Sequence, residues 1–245
     1  MHKTTRALVL REVKYKEADK ILTVLTEDEG KLTVTARGVM RKGSKIAAAC
    51  QLLTFSEMTL FDYNGRWSIS EGQTIEQFLG LREEISALAL GNYFAELLEA
   101  LSDEDCPNVK MLSLGLNALF ALSRGLYSPE HIKAVFEMKL MCIAGYEPNV
   151  SYCAACGEEP EKPVLSAAGG TVLCAHCARD YGEVLPLGAD ALFAMRHIID
   201  NDTKRAFSFS LEPGAQKKLS LAAESYIEAQ LDRRFSSLDY WRQVK

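Results

Sequence analysis

Two cysteine pairs, Cys153-Ala-Ala-Cys156 and Cys174-Ala-His-Cys177, lie 17 residues apart in this chain. C-x2-C repeated at such an interval falls within the spacing of four-thiolate zinc sites. Two cysteines three positions apart fit one tight turn, so both sulfurs can reach one ion at about 2.3 Å. Gly157, directly after the first pair, can supply the positive φ such a turn needs. The residues between the pairs offer a loop with Gly169-Gly170 and a short strand, Thr171-Val172-Leu173, to bring the second pair back. Four thiolates close the coordination sphere, so the expected zinc is structural and leaves no position for water or substrate. A thioredoxin-like redox pair would instead open a helix in a βαβ unit, and here two pairs sit in a Pro/Gly-containing loop. His176, inside the second pair, is expected beside the site or in solvent.

The chain has 245 residues, 48% of them hydrophobic, enough for one large domain or two to three small ones. His2-Lys3 is followed by no apolar stretch, so no secretory leader is expected. No apolar run approaches the ~18 residues of a membrane helix. The seven cysteines are therefore expected to be reduced in a cytoplasmic protein, with Cys50, Cys106 and Cys142 as small buried hydrophobes. The net charge of -5 is unevenly spread: residues 1–82 hold 13 Lys/Arg and 10 Asp/Glu, whereas residues 83–150 hold 4 and 10. An acidic chain of this kind binds nucleic acid only through a local surface.

Residues 4–12, 20–26, 31–37, 52–63 and 66–75 read as strands, the third alternating Leu32, Val34, Ala36 against Thr33, Thr35, Arg37. Asn64-Gly65 marks a two-residue hairpin. Five short strands with hairpins early and late imply a small barrel of the OB type. The period then becomes helical, with stretches from Leu81 to Leu101 and near 109–123, 129–144, 188–200 and 213–231. Ser128-Pro129-Glu130 carries the marks of a helix start, and Gly145 of a stop. The expected class is α+β multidomain: an OB-fold over 1–80, a helical domain over 81–148 and 182–245, and an inserted zinc loop over 149–181.

Residues 30–56 contain no acid and five bases, Lys31, Arg37, Arg41, Lys42 and Lys45. Four of these fall among Gly38, Gly43 and Ser44, a composition suited to phosphates and equally to a solvated loop between strands. Gly38-x4-Gly43-Ser44-Lys45 imitates a P-loop, but its Lys and Ser are reversed and no βαβ unit surrounds it. Phe55, Phe61, Tyr63 and Trp67 lie on the late hairpin; most are expected in the core, with Trp67 the candidate for stacking on a base. No acid–base or nucleophile constellation is evident.

Gly30-Lys-Leu-Thr-Val-Thr-Ala-Arg-Gly38, Phe136-Glu-Met-Lys-Leu-Met-Cys-Ile-Ala-Gly-Tyr-Glu-Pro-Asn149 leading into Cys153-x-x-Cys156-Gly157, and Arg234-Phe-Ser-Ser-Leu238 together resemble the RecO family of bacterial recombination mediators. The resemblance implies an OB-fold, a helical domain and, in many members, a zinc loop. It implies a non-enzymatic DNA-repair role: binding and annealing single-stranded DNA, with double-stranded DNA a further candidate, and acting with RecR to load RecA. It also implies contact with the acidic tail of single-strand-binding protein. Such a tail needs an apolar groove with a cation at its edge. Helix 129–144 offers Ile132, Val135, Phe136 and Leu140 as a stripe, flanked by Lys133 and Lys139, unless that stripe is ordinary core. A zinc-containing nucleic-acid enzyme, or a thiol oxidoreductase using the C-x-x-C pairs, is the alternative.

Overall fold

The computed structural model describes residues 2–245. Five strands form a closed barrel in the order β1-β2-β3-β5-β4: β1 (His2–Tyr15), β2 (Asp19–Thr26), β3 (Gly30–Ala36), β4 (Phe55–Tyr63) and β5 (Arg66–Glu76). This is the expected OB arrangement. β1 serves two neighbours, pairing with β4 from His2 to Leu8 and with β2 from Ala7 to Tyr15 across a bulge between Val9 and Arg11. A bulge bends its strand, which lets one strand close both sides of a small barrel. Alternation fills the interior with Val9, Leu22, Val24, Leu32, Val34, Met58, Leu60 and Ile69, all buried.

The segment 37–54 between β3 and β4 is not the freely solvated loop its composition allows. Successive turns wind it, with Arg41 N donating to Gly38 O, Ser44 N to Arg41 O and Cys50 N to Ile46 O. Val39, Ile46 and Cys50 turn inward and join the barrel core. The same turns leave Arg37, Arg41, Lys42 and Lys45 exposed. The segment thus plugs the barrel with one face and offers cations on the other.

Beyond the barrel come α1 (Ile85–Leu101), α2 (Val109–Ser123) and α3 (Pro129–Ile143); then β6 (Val164–Ser166), β7 (Thr171–Leu173) and β8 (Leu185–Pro186); then α4 (Ala189–Asp200), α5 (Pro213–Leu231) and α6 (Ser236–Val244). The chain forms two compact units, one reaching to Arg124 and regaining Phe235–Lys245, the other Gly125–Arg234. The helices are therefore divided differently from the expectation of one helical domain: α1, α2 and α6 belong with the barrel. Gly30 shows how closely that first unit is packed. Its φ is +71°, and an added Cβ would stand 2.5 Å from the carbonyl oxygen of Cys106 on the α1–α2 connection. α6 was not foreseen; it lays Leu238 and Trp241 inward, and Phe235 at its start meets Tyr93 of α1 edge-on at 5.9 Å.

In the second unit α3 packs between α4 and α5, and a three-stranded sheet in the order β7-β6-β8 carries the cysteine loop. Ser128 caps α3 as expected, accepting from the amide of His131. Among the described residues no helix is long and apolar enough to cross a membrane.

Candidate nucleic-acid interface and metal centre

The cations of the barrel fall into two groups. Four on the strands are paired: Lys3 with Glu29, Arg6 with Glu27 at 3.9 Å, Arg11 with Glu99 at 3.4 Å and Lys20 with Glu12 at 2.8 Å. Arg37, Arg41, Lys42 and Lys45 are exposed, and among the described residues no carboxylate pairs with any of them. Two hydrogen bonds fasten their loop to the β1–β2 turn. Met40 N donates to Ala18 O at 3.0 Å, and Gly38 N donates to Asp19 Oδ1 at 2.7 Å. Asp19 is thereby engaged as a backbone acceptor. The turn brings Lys14 and Lys16, both exposed and likewise unpaired among the described residues, to the same end of the barrel. Six cations thus gather on two mutually tied segments against two nearby acids, Glu17 and Asp19, an excess of positive charge that favours an anion.

Lys31 stands apart from this group. Its Nζ donates to Glu99 O at 2.9 Å, and it lines a cleft of about 300 Å³ with Trp67, Asp62, Glu104 and Asp105. Trp67 shares the inward parity of Ile69 and is half-buried against the barrel core, so it closes the barrel mouth more than it offers a free face. Tyr63 has the opposite parity. With Met58 and Leu60 inside, the odd positions of β4 face out, and Tyr63 is 67% exposed at the hairpin tip beside Arg66. The sequence pointed to Trp67 as the exposed ring of the four on this hairpin, whereas Tyr63 is the exposed one, and Lys14 and Lys16 were not singled out. The alternation around Met58 and Leu60, and the Lys-Tyr-Lys triplet at 14–16, were the signals that could have found them.

The four expected metal ligands converge. The sulfurs of Cys153, Cys156, Cys174 and Cys177 all lie within 4.8 Å of one another. Four sulfurs 2.3 Å from a tetrahedral ion are about 3.8 Å apart, and the Cys156–Cys174 separation of 3.9 Å already matches. Two knuckles build the site. Gly157, at φ +77°, turns the chain so that its amide reaches Cys153 O at 2.9 Å; the amides of Cys177 and Ala178 reach Cys174 O at 3.0 and 3.1 Å. Backbone amides also aim at sulfur: Cys174 N lies 3.3 Å from Cys153 Sγ, and Glu161 N 3.3 Å from Cys174 Sγ. Such donors favour thiolates. Burial pushes the Cys153 thiol up, but the amides of Cys174, Cys156 and Ala155 bring it down to about 6. Burial, reinforced by hydrogen bonds to Cys156 and Cys153 and by their charge, pushes Cys177 up to about 12. Four sulfurs brought this close, with Cys153 lowered and Cys174 and Cys177 raised, fit a thiophilic cation whose charge would favour all four as thiolates. His176 is exposed and outside the cluster, as expected.

The residues 1–78 match the family described as recombination protein O N terminal, and residues 82–239 match recombination protein O C terminal. The chain is 31% identical over 241 residues to the DNA repair protein RecO of Symbiobacterium thermophilum, an alignment covering 95% of this chain and 94% of that protein. It is 29% identical over 237 residues to the DNA repair protein RecO of Acetivibrio thermocellus, covering 96% and 94%. The chain belongs to the RecO family. The RecO N-terminal match ends within two residues of the strand-to-helix change expected at 80, although the compact units divide at Arg124.

For the expected partner site on α3 of this RecO chain, the structure returns a correction. Ile132, Val135, Phe136 and Leu140 do form one stripe, but it is fully buried core. Lys133 is only 2% exposed; its Nζ lies 2.8 Å from both Glu137 and Glu224. Lys139 is half-buried, its Nζ donating to Ile199 O at 2.7 Å. The stripe is apolar because α3 is the central helix of its unit. Cys50 is buried and Cys142 half-buried, burial pushing both thiols up to about 12, whereas Cys106, expected to be buried, is exposed.

Proposed function

We propose that this RecO-family DNA repair protein is a non-enzymatic recombination mediator that binds and anneals single-stranded DNA through the basic end of its barrel. The observation that carries the reading is the clustering of cations: Lys3, Arg6, Arg11 and Lys20 each have a carboxylate partner, whereas Lys14 at the end of β1, Lys16 on the β1–β2 turn and the four of the 37–45 loop have none among the described residues. Unpaired cations on a small barrel suit a backbone of phosphates, which supplies affinity without reading sequence. In the cytoplasm the protein would work on nucleoid DNA with RecR, loading RecA where single-strand-binding protein coats the strand. Arg37, Arg41, Lys42 and Lys45 are proposed as phosphate contacts, and Lys31 and Trp67, which line a separate cleft, as further DNA contacts. Double-stranded DNA would reach the same cations.

Zinc is proposed at Cys153, Cys156, Cys174 and Cys177 as a structural ion. The alternative, a thiol oxidoreductase, works through one isolated pair of sulfurs, whereas four sulfurs here share one centre. For the acidic tail of single-strand-binding protein, the burial of Lys133 and Phe136 leaves Lys139 as the half-exposed member of the expected trio. A tail contact on this helix is therefore proposed at Lys139, and Lys139→Glu should weaken tail binding while sparing naked DNA.

The DNA reading is tested by titrating single-stranded DNA at several salt concentrations with wild type and Arg37→Ala/Arg41→Ala. Each lost phosphate contact should lower the salt slope by about 0.7. Unchanged affinity and slope in the double variant would place DNA elsewhere.

A further inference from the structure

The 37–45 loop can neutralise phosphates, but it contains no aromatic residue. Phosphate contacts alone serve duplex and single strand alike; discrimination needs a group that meets an unpaired base. The β1–β2 turn supplies one. Tyr15 ends β1 opposite Asp19 and is 43% exposed. Lys16, at φ +56°, folds back so that its Nζ lies 5.1 Å from the Tyr15 ring centroid. A cation over one ring face holds the ring in place, and among the described residues no second ring or cation engages it. The turn is fixed to the basic loop by the Met40–Ala18 and Gly38–Asp19 hydrogen bonds already described, so ring and cations form one surface. Val13 and Met40 add exposed apolar area on the same two segments. Among the local acids Glu12 is paired with Lys20, while Asp19, which accepts from Gly38 N and keeps its charge, and Glu17 stay beside the cations.

We propose that Tyr15 is a stacking platform for an unpaired nucleobase, with Lys14 and Lys16 contacting the flanking phosphates. This rests on the single-stranded DNA reading above and adds to it the element that selects single strands over duplex. An exposed apolar and basic patch also suits an anionic membrane surface. That occupant fits less well, because the patch is a lone phenol ring and two side chains on short loops rather than the broad apolar face of an interfacial helix.

The test compares oligo-dT with an abasic oligomer of equal length, using fluorescence anisotropy on the full chain. Tyr15→Ala should lose about 5- to 150-fold in affinity for oligo-dT, little for the abasic strand, and keep the salt slope of the wild type. Tyr15→Phe should bind oligo-dT like wild type, since the ring face does the work. Lys14→Ala and Lys16→Ala should each lower the slope by about 0.7 on both oligomers. Thermal melts establish that each variant is folded. Equal loss on both oligomers, no loss on either, or failure of Tyr15→Phe would overturn the stacking role. Sedimentation with phosphatidylglycerol vesicles that depends on Tyr15, while DNA binding does not, would assign the patch to membrane instead. A wild type that binds no oligo-dT removes the parent reading and this one together; binding indifferent to Tyr15 removes only this one.

Discussion

The two compact units treat a lysine in opposite ways. In the barrel unit Lys42 stands in solvent on a turn, with no carboxylate within pairing distance among the described residues. In the second unit Lys133 is inside the packed helices, between Glu137 four residues on and Glu224 on α5. A buried ammonium is tolerable only with its counter-charges in place, whereas an exposed one costs nothing to leave alone. One arrangement can be spent on a ligand; the other is already spent on its own fold. A lysine's availability is thus decided by partners that can be distant in sequence.

The largest expected effect lies in the cysteine loop, where the proposed zinc would hold part of the second unit together. Metal binding to four-thiolate peptides amounts to about 10–16 kcal/mol apparent near neutral pH. The small sheet around Cys153, Val164, Leu173, Cys174 and Ala178 has too few apolar side chains to hold the loop alone. Cys153→Ser/Cys174→Ser should lose zinc, read by metal analysis, and become open to proteolysis between 149 and 183 while oligo-dT binding persists. Full zinc retention would rule the site out, and loss of DNA binding would break the division of labour between the units.

Next in size is the buried triad. Lys133→Ala would leave two carboxylates facing each other inside the unit and should cost about 3–5 kcal/mol in urea unfolding. Lys133→Leu with Glu137→Leu should restore most of that stability, since Glu224 is partly exposed and can turn to water. The triad also predicts an alkaline limit. Burial pushes the Lys133 pKa down, but the charges of Glu137 and Glu224 outweigh it and hold the group above its ordinary 10.5. A folded-state pKa above the unfolded one adds stability that is complete below 10.5 and lost as pH rises through the folded value. Urea midpoints measured on either side of 10.5 should fall further in wild type than in the double leucine variant, which still carries the raised thiols of Cys50 and Cys142 and the raised Tyr226.

The barrel was legible because alternation is a local property: Leu32, Val34 and Ala36 announce their face within seven residues. The convergence of the four cysteines was legible because both knuckles are short and their spacing is chemical. α3 was read correctly as a helix with an apolar stripe, but not as a central one. Its moderate polarity hid that Lys133 and Glu137 are satisfied by each other and by a residue 91 positions away. α6 escaped because it is only nine residues long, although Leu238 and Trp241 fall three apart on one strongly amphipathic face. The β1–β2 turn escaped because Lys14 and Tyr15 break the alternation, and only the hydrogen bonds from Gly38 and Met40 show that they join the basic loop.

The smallest expected stability change is the sharpest test of the comparison, because it repeats the same deletion at the other kind of site. Lys42→Ala removes an exposed, unpaired side chain. The turn that carries it is held by backbone bonds, Arg41 N to Gly38 O and Ser44 N to Arg41 O, which the substitution does not touch. Its effect on the urea midpoint should correspond to less than about 0.5 kcal/mol, against several for Lys133→Ala. The effect on DNA should run the other way: Lys42→Ala lowers the single-strand salt slope by about 0.7, and a folded Lys133 variant leaves it unchanged. Like any exposed charge, Lys42 should matter most at low salt, where attraction is least screened. If Lys42→Ala destabilises the barrel by more than about 1 kcal/mol without moving the slope, its cation holds the loop rather than DNA, and the contrast between the units fails where it was drawn most sharply.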